Sequence, residues 1–154
     1  MSLRKLLRCI LYASGFRFRG YEQCILFSVC EHLPPNDAAC IRRQIGAVSL
    51  IQRELRGRMV LVFCLDPPLP EPISKKVGEQ CLAVVELRAH GQPVRCSVIV
   101  YNGMLSSLEF NKPPRRDWSS AIEIVSTVAY PGAFVRISEA IDHEEHGGGD
   151  HEPS

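Results

Sequence analysis

Residues able to do acid–base, nucleophilic or metal chemistry are few in this sequence and poorly grouped. The densest set is His143, Glu144, Glu145, His146, Asp150, His151 and Glu152, all ligand types for a divalent metal. His143 to His146 run as H-E-E-H, not the H-E-x-x-H spacing that sets two histidines on one helix face. Gly147, Gly148 and Gly149 interrupt the set and leave no fixed second layer to orient a ligand. Residues 142–154 therefore read as a disordered, solvated His/Gly/acid-rich tail, and no metal or cofactor is expected.

Outside the tail the only histidines are His32 and His90. Asp66, Glu109 and Asp117 have no acid–base mate nearby in the chain, and no glycine-rich phosphate loop follows a strand. No catalytic residue is assigned. Catalytic groups are assembled in space, so a small hydrolase or transferase stands as an alternative.

Basic residues form two groups. Arg42, Arg53 and Arg56 fall within roughly 60° on a helix at about 100° per residue. Lys112, Arg115 and Arg116 lie beside Trp118, the single tryptophan. Basic residues near an aromatic suit nucleic acid, but no known reader motif accompanies them, so a solvated face is the preferred reading. Residues 1–58 carry ten Lys/Arg and four Asp/Glu, and residues 59–154 carry eight and thirteen, so charges of +6 and −5 sum to the net +1. That near-neutral total gives no overall pull toward nucleic acid or membrane.

The seven cysteines are odd in number, contain no C-x-x-C, and sit in apolar runs. Free core thiols in a reducing, cytoplasmic setting are expected. No run of about 18 apolar residues suggests a membrane span. The acid-free, arginine-rich start of the chain has the composition of a mitochondrial presequence. Arg8 breaks its apolar stretch, which argues against a secretory signal, and a basic, partly exposed first helix is the preferred reading.

The elements that must position these groups follow from periodicity. Leu3, Leu6, Leu7, Ile10 and Leu11 have helical spacing over 3–13. Cys24, Ile25, Val29 and Leu33 mark a second helix over 21–33, ended by Pro34-Pro35. Ile41, Ile45, Val48, Ile51 and Leu55 predict a third helix, capped at Asn36 or Asp37 and running to Gly57. Strand composition then appears over 59–65, 81–88, 94–100, 104–110, 121–130 and 133–137. The fold class expected is α+β, with N-terminal helices packed on one face of an antiparallel β-meander, as a single domain over 1–141.

Register decides which residues share a face. A two-residue Asn102-Gly103 turn sets core candidates opposite polar residues, so a three-residue Tyr101-Asn102-Gly103 loop is expected. It pairs Val100 with Met104, Val98 with Ser106, Cys96 with Leu108 and Val94 with Phe110. The outer face then carries a charged row of Glu86, Arg95 and Glu109 and an apolar row of Leu82, Ile99 and Leu105 near Tyr101. A half-apolar outer face with a charged rim suits a protein partner. A non-enzymatic protein-binding domain is the resulting expectation, of which a bacterial immunity-type inhibitor is one form. These seven residues are its expected contact set, and nucleic-acid binding through the basic helix is a further alternative.

Overall fold

The computed structural model describes Gly15, residues 17–115, Trp118 and residues 122–130. The expected first helix over 3–13, the strand over 133–137 and the tail from 142 lie outside the described residues. Two helices, α1 (Gly20–His32) and α2 (Pro35–Gly46), pack on one face of a six-stranded antiparallel sheet. The strands are β1 (Leu50–Glu54), β2 (Met59–Phe63), β3 (Glu79–Ala89), β4 (Gln92–Tyr101), β5 (Met104–Phe110) and β6 (Ile122–Ala129). Their spatial order is β1-β2-β5-β4-β3-β6, an α+β fold with the β3-β4-β5 meander at its centre. Among the described residues no helix is long and apolar enough to cross a membrane.

Helix α1 starts where its own side chain closes the first turn. The Arg19 N–H donates to Glu22 Oε2 at 2.7 Å, three residues into the chain direction of the helix. Pro34-Pro35 separates the helices, and Pro35 occupies the first turn of α2, where its missing N–H costs nothing. Asn36 and Asp37 thus lie inside the first turn and are not the cap.

The third expected helix is too long. It stops at Gly46, and Leu50–Glu54 form β1 instead. Ile41 and Ile45 do face the sheet, but Ile51 is buried as a strand residue opposite Val62, and Leu55 is 66% exposed. Residues 41, 45, 48 and 51 fit a helical stripe by coincidence of spacing. Pairing with β2 overrides it, helped by Ser49, whose hydroxyl donates to the Phe63 carbonyl and accepts from the Leu65 N–H. Arg42, Arg53 and Arg56 consequently sit on α2, on β1 and in the turn Leu55–Gly57, and the expected basic helix face does not form.

Burial confirms the inner face. Val94, Cys96, Val98, Val100, Leu108 and Phe110 are all buried in one core with Tyr21, Ile25, Leu26, Val29 and Ile41 from the helices. At one end Tyr21, Phe110 and Trp118 stack edge-to-face, with ring centroids 5.8–6.1 Å apart. Ser28 on α1 and Thr127 on β6 share a 2.6 Å hydrogen bond between hydroxyls, which fixes the helix over the sheet edge.

The loop that was meant to secure this face is different. Asn102 and Gly103 have φ of 50° and 74°, and Tyr101 pairs with Met104. This is the two-residue turn with both central residues left-handed. The polar mismatch it creates is removed one step later. Ser106 is an unpaired bulge residue, so Val100 faces Leu105 but Ile99 faces Ser107 and Val98 faces Leu108. A bulge shifts one strand by one residue and returns its side chains to the proper face. A second bulge at Leu82 does the same where β3 meets β4.

Glu22 is wholly buried, and Arg53 on β1 meets it with a two-pronged contact at 2.8 and 2.7 Å. Burial opposes the Arg53 charge, but Glu22's hydrogen bonds and charge outweigh it and hold the guanidinium above its ordinary pKa. Removing one member of a buried pair strands the other, at a cost of about 3–5 kcal/mol. Urea unfolding of Glu22→Met should show a loss of that order, and Glu22→Met/Arg53→Met a smaller one. A loss below about 1 kcal/mol in the single variant would mean the pair is solvated.

Candidate functional site

The two bulges redistribute the seven residues expected to form one patch. Leu82 and Leu105 belong to the inner core, and Ile99 is 1% exposed in a small outer cluster with Cys81, Val84 and Tyr130. Tyr130 extends β6 by donating its N–H to the Leu82 carbonyl. The chain itself therefore covers the middle of the outer face. Glu86 does face Arg95, but Glu109 faces Ser97, so the three-strand charge row is reduced to a pair. Of the expected apolar anchors Tyr101 alone stands open to solvent, at 52%.

Tyr101 is nevertheless part of a surface hollow. A groove of about 290 Å³ runs between the end of β2 and the β4–β5 turn. Phe63, Cys64, Leu65 and Leu69 form one wall, and Tyr101 and Met104 the other. Leu65 and Leu69 are 42% and 61% exposed, and Leu105 forms part of the floor. Sequence reasoning placed Leu65 in a strand and gave Leu69 no role. The four prolines at 67, 68, 70 and 72 were the available signal: they prevent ladder pairing and hold apolar side chains out in the loop.

What positions the loop against the turn is the side chain of Gln44, which has no solvent exposure. Its Nε2 donates to the Glu71 carbonyl at 2.8 Å and to the Gly103 carbonyl at 3.0 Å. Its Oε1 accepts from the Leu105 N–H at 2.7 Å. Strand β2 pairs with β5 only through Met59–Leu61, so Leu105 lies past its reach and Gln44 stands in for the missing strand. Around this knot the Ile73 N–H donates to Gly103, Asn102 exchanges two hydrogen bonds with Gly78, and the Cys40 thiol donates to Glu71. Gly103 is required twice: its φ is left-handed, and a Cβ there would lie 2.8 Å from Pro72 Cβ.

A second feature lies at the other end of β3 and β4. Two adjoining hollows of about 580 and 450 Å³ share Val94 and Lys112. His90, Arg115 and Trp118 line one, and Glu86, Arg88 and Arg95 line the other. Trp118 is 4% exposed, so its ring forms a wall and offers no open stacking platform.

Among the described residues no group of three or more His, Cys, Asp and Glu is placed to hold a metal ion. His32 bonds through Nδ1 to the Ser28 carbonyl at 2.8 Å, an intrahelical contact. Comparison with known proteins gives no match to this chain among family models, curated proteins or solved structures.

The six described cysteines are free thiols, and the core reading fails at one of them: Cys24 is exposed on α1. Burial pushes the thiols of Cys30, Cys40, Cys64 and Cys81 up, and that of Cys96 well up. Thiolate is the reacting form, so a thiol reagent should label Cys24 first among these six. Cys64, half-buried in the groove wall, should follow and speed up as pH rises. The other four should react on unfolding. Peptide mapping of a labelling time course checks the order, and early labelling of Cys96 would contradict the buried core.

Proposed function

We propose that this chain is a non-enzymatic protein-binding domain whose contact surface is the groove between Leu65, Leu69 and Tyr101. The observation that carries this reading is an apolar hollow with half-exposed aliphatic and aromatic walls, held in shape by a buried amide. Buried core residues would not otherwise leave Leu69 and Tyr101 in water at one place. Its occupant is an apolar side chain borne on an exposed segment of a partner protein. Tyrosine at such a position supplies a large contact area with few rotamers to freeze, and aromatic residues dominate interface energetics.

This reading keeps Tyr101 from the original contact set and replaces its buried companions with loop residues. Inhibition of a bacterial enzyme or toxin, the immunity-type role, would use such a surface to cover the partner's working face. The free thiols support a reducing, cytoplasmic compartment for that role.

The partner is sought by affinity capture from the native host and then purified for titration. Tyr101→Ala should weaken its binding by about 30-fold, equivalent to a hot spot of about 2 kcal/mol. Leu69→Asp, which sets a charge in the hollow on a residue outside the core, should abolish it. Arg115→Ala, at the far end of the sheet, should bind as the parent does. Unchanged affinity in both groove variants would refute this surface. Concentration-dependent dimerisation lost in Leu69→Asp would identify a second copy as the occupant instead.

A further inference from the structure

The Tyr101 groove is lined by more than aliphatic carbon. Phe63 and Tyr101 set an aromatic ring on each wall, and the Met104 thioether and Cys64 thiol add sulfur beside them. Cys64 Sγ donates to the Gln44 carbonyl at 3.6 Å, which fixes that sulfur in the wall. Ser106, the residue that the bulge inserts, also lines the groove and is half-buried. Among the described residues its hydroxyl has no hydrogen-bond partner. None of the lining residues is a lysine, arginine, aspartate or glutamate.

We propose that the groove takes the indole of a tryptophan borne by the partner, with the indole N–H donating to Ser106 Oγ. This rests on the reading of the groove as a protein contact and narrows it to one side chain. The size suits a single large side chain, since about 290 Å³ lies at the lower end of the roughly 300–1,000 Å³ of small-ligand sites. An aliphatic side chain there gains only buried area. An aromatic one adds edge-to-face or offset contacts with Phe63 and Tyr101, and sulfur contacts at its ring edge.

The Ser106 hydroxyl separates tryptophan from phenylalanine. A hydroxyl covered by a bare hydrocarbon ring loses its water and gains no partner. The indole N–H is a donor only and needs an acceptor once buried, and Ser106 Oγ offers one. Ser106 is available because the bulge leaves it without a partner on β4. Tyrosine offers the smaller π-face. A nucleic-acid base would also stack between two rings, but with no cation in the lining nothing there holds its phosphate.

Methyl NMR of the full chain tests this without the partner. The probes are N-acetyl-tryptophanamide, N-acetyl-phenylalaninamide, N-acetyl-leucinamide and adenosine monophosphate. The tryptophan amide should shift the methyl signals of Leu69 and Met104 and saturate on the order of mM, as fits so small a ligand. The phenylalanine amide should bind several-fold more weakly and the leucine amide about tenfold. Ser106→Ala should weaken the tryptophan amide several-fold and spare the phenylalanine amide, with the amide spectrum of the sheet checking the fold. Equal binding of the tryptophan and leucine amides, or tighter binding of the nucleotide, would overturn the indole and leave the groove in place. So would a tryptophan amide indifferent to Ser106→Ala, or one whose shifts fall outside the groove. Silence at Leu69 and Met104 with every probe would remove the groove reading as well.

Discussion

The amide of Gln44 is the constraint on which the surface architecture depends. A buried carboxamide has two donor hydrogens and an acceptor oxygen to satisfy, and each unmet bond costs about 1–3 kcal/mol. Here both ends are satisfied by backbone atoms from two distant segments, the loop at Glu71 and the turn at Gly103 to Leu105. One side chain on α2 thereby fixes a proline-rich loop, a tight turn and the first residue of bulged pairing. Remove it, and the Leu105 N–H loses its acceptor, while the Glu71 and Gly103 carbonyls keep only the Cys40 thiol and the Ile73 N–H. The groove walls would lose their common anchor while the sheet below kept its own ladder.

The same logic explains why a strongly preferred turn and a strongly apolar core coexist. Asn102-Gly103 selects a two-residue turn locally, and burial selects the register of Val98 and Leu108 globally. The two demands differ by one residue, and Ser106 absorbs the difference. The bulge displaces Leu105 from the outer row to the core and brings its N–H to Gln44. Local and global preferences are both met, which is the usual mark of a well-specified fold.

Much of this was legible in the sequence. Alternation in 83–89 and 94–100 gave the inner face and the β3–β4 pairing from the His90-Gly91 turn as far as Ala83 and Val98. Composition gave the fold class. The bulges were not legible, because a single inserted residue leaves the alternation on either side intact and no residue type marks it. The outer contact set failed for that reason: Leu82 is itself a bulge residue and Leu105 lies just before the Ser106 bulge, so parity arguments across them invert. Helix α2 was overextended because Ile51 satisfies both a helical and a strand pattern, and only its partner Val62 distinguishes them. Glu22–Arg53 was invisible for a different reason, since nothing in the sequence brings residues 31 apart together. Tyr101 stays exposed at the last position of β4, the inserted residues lying on β3 and β5.

Amide hydrogen exchange tests the Gln44 account most directly. Leu105 N–H has no strand partner from β2, so its protection should come from Gln44 Oε1. In the native protein it should exchange as slowly as its core neighbours, and in Gln44→Ala it should become fast while the amides of Val98 and Leu108 stay protected. Fast exchange at Leu105 in the native protein, or unchanged protection in the variant, would contradict the account.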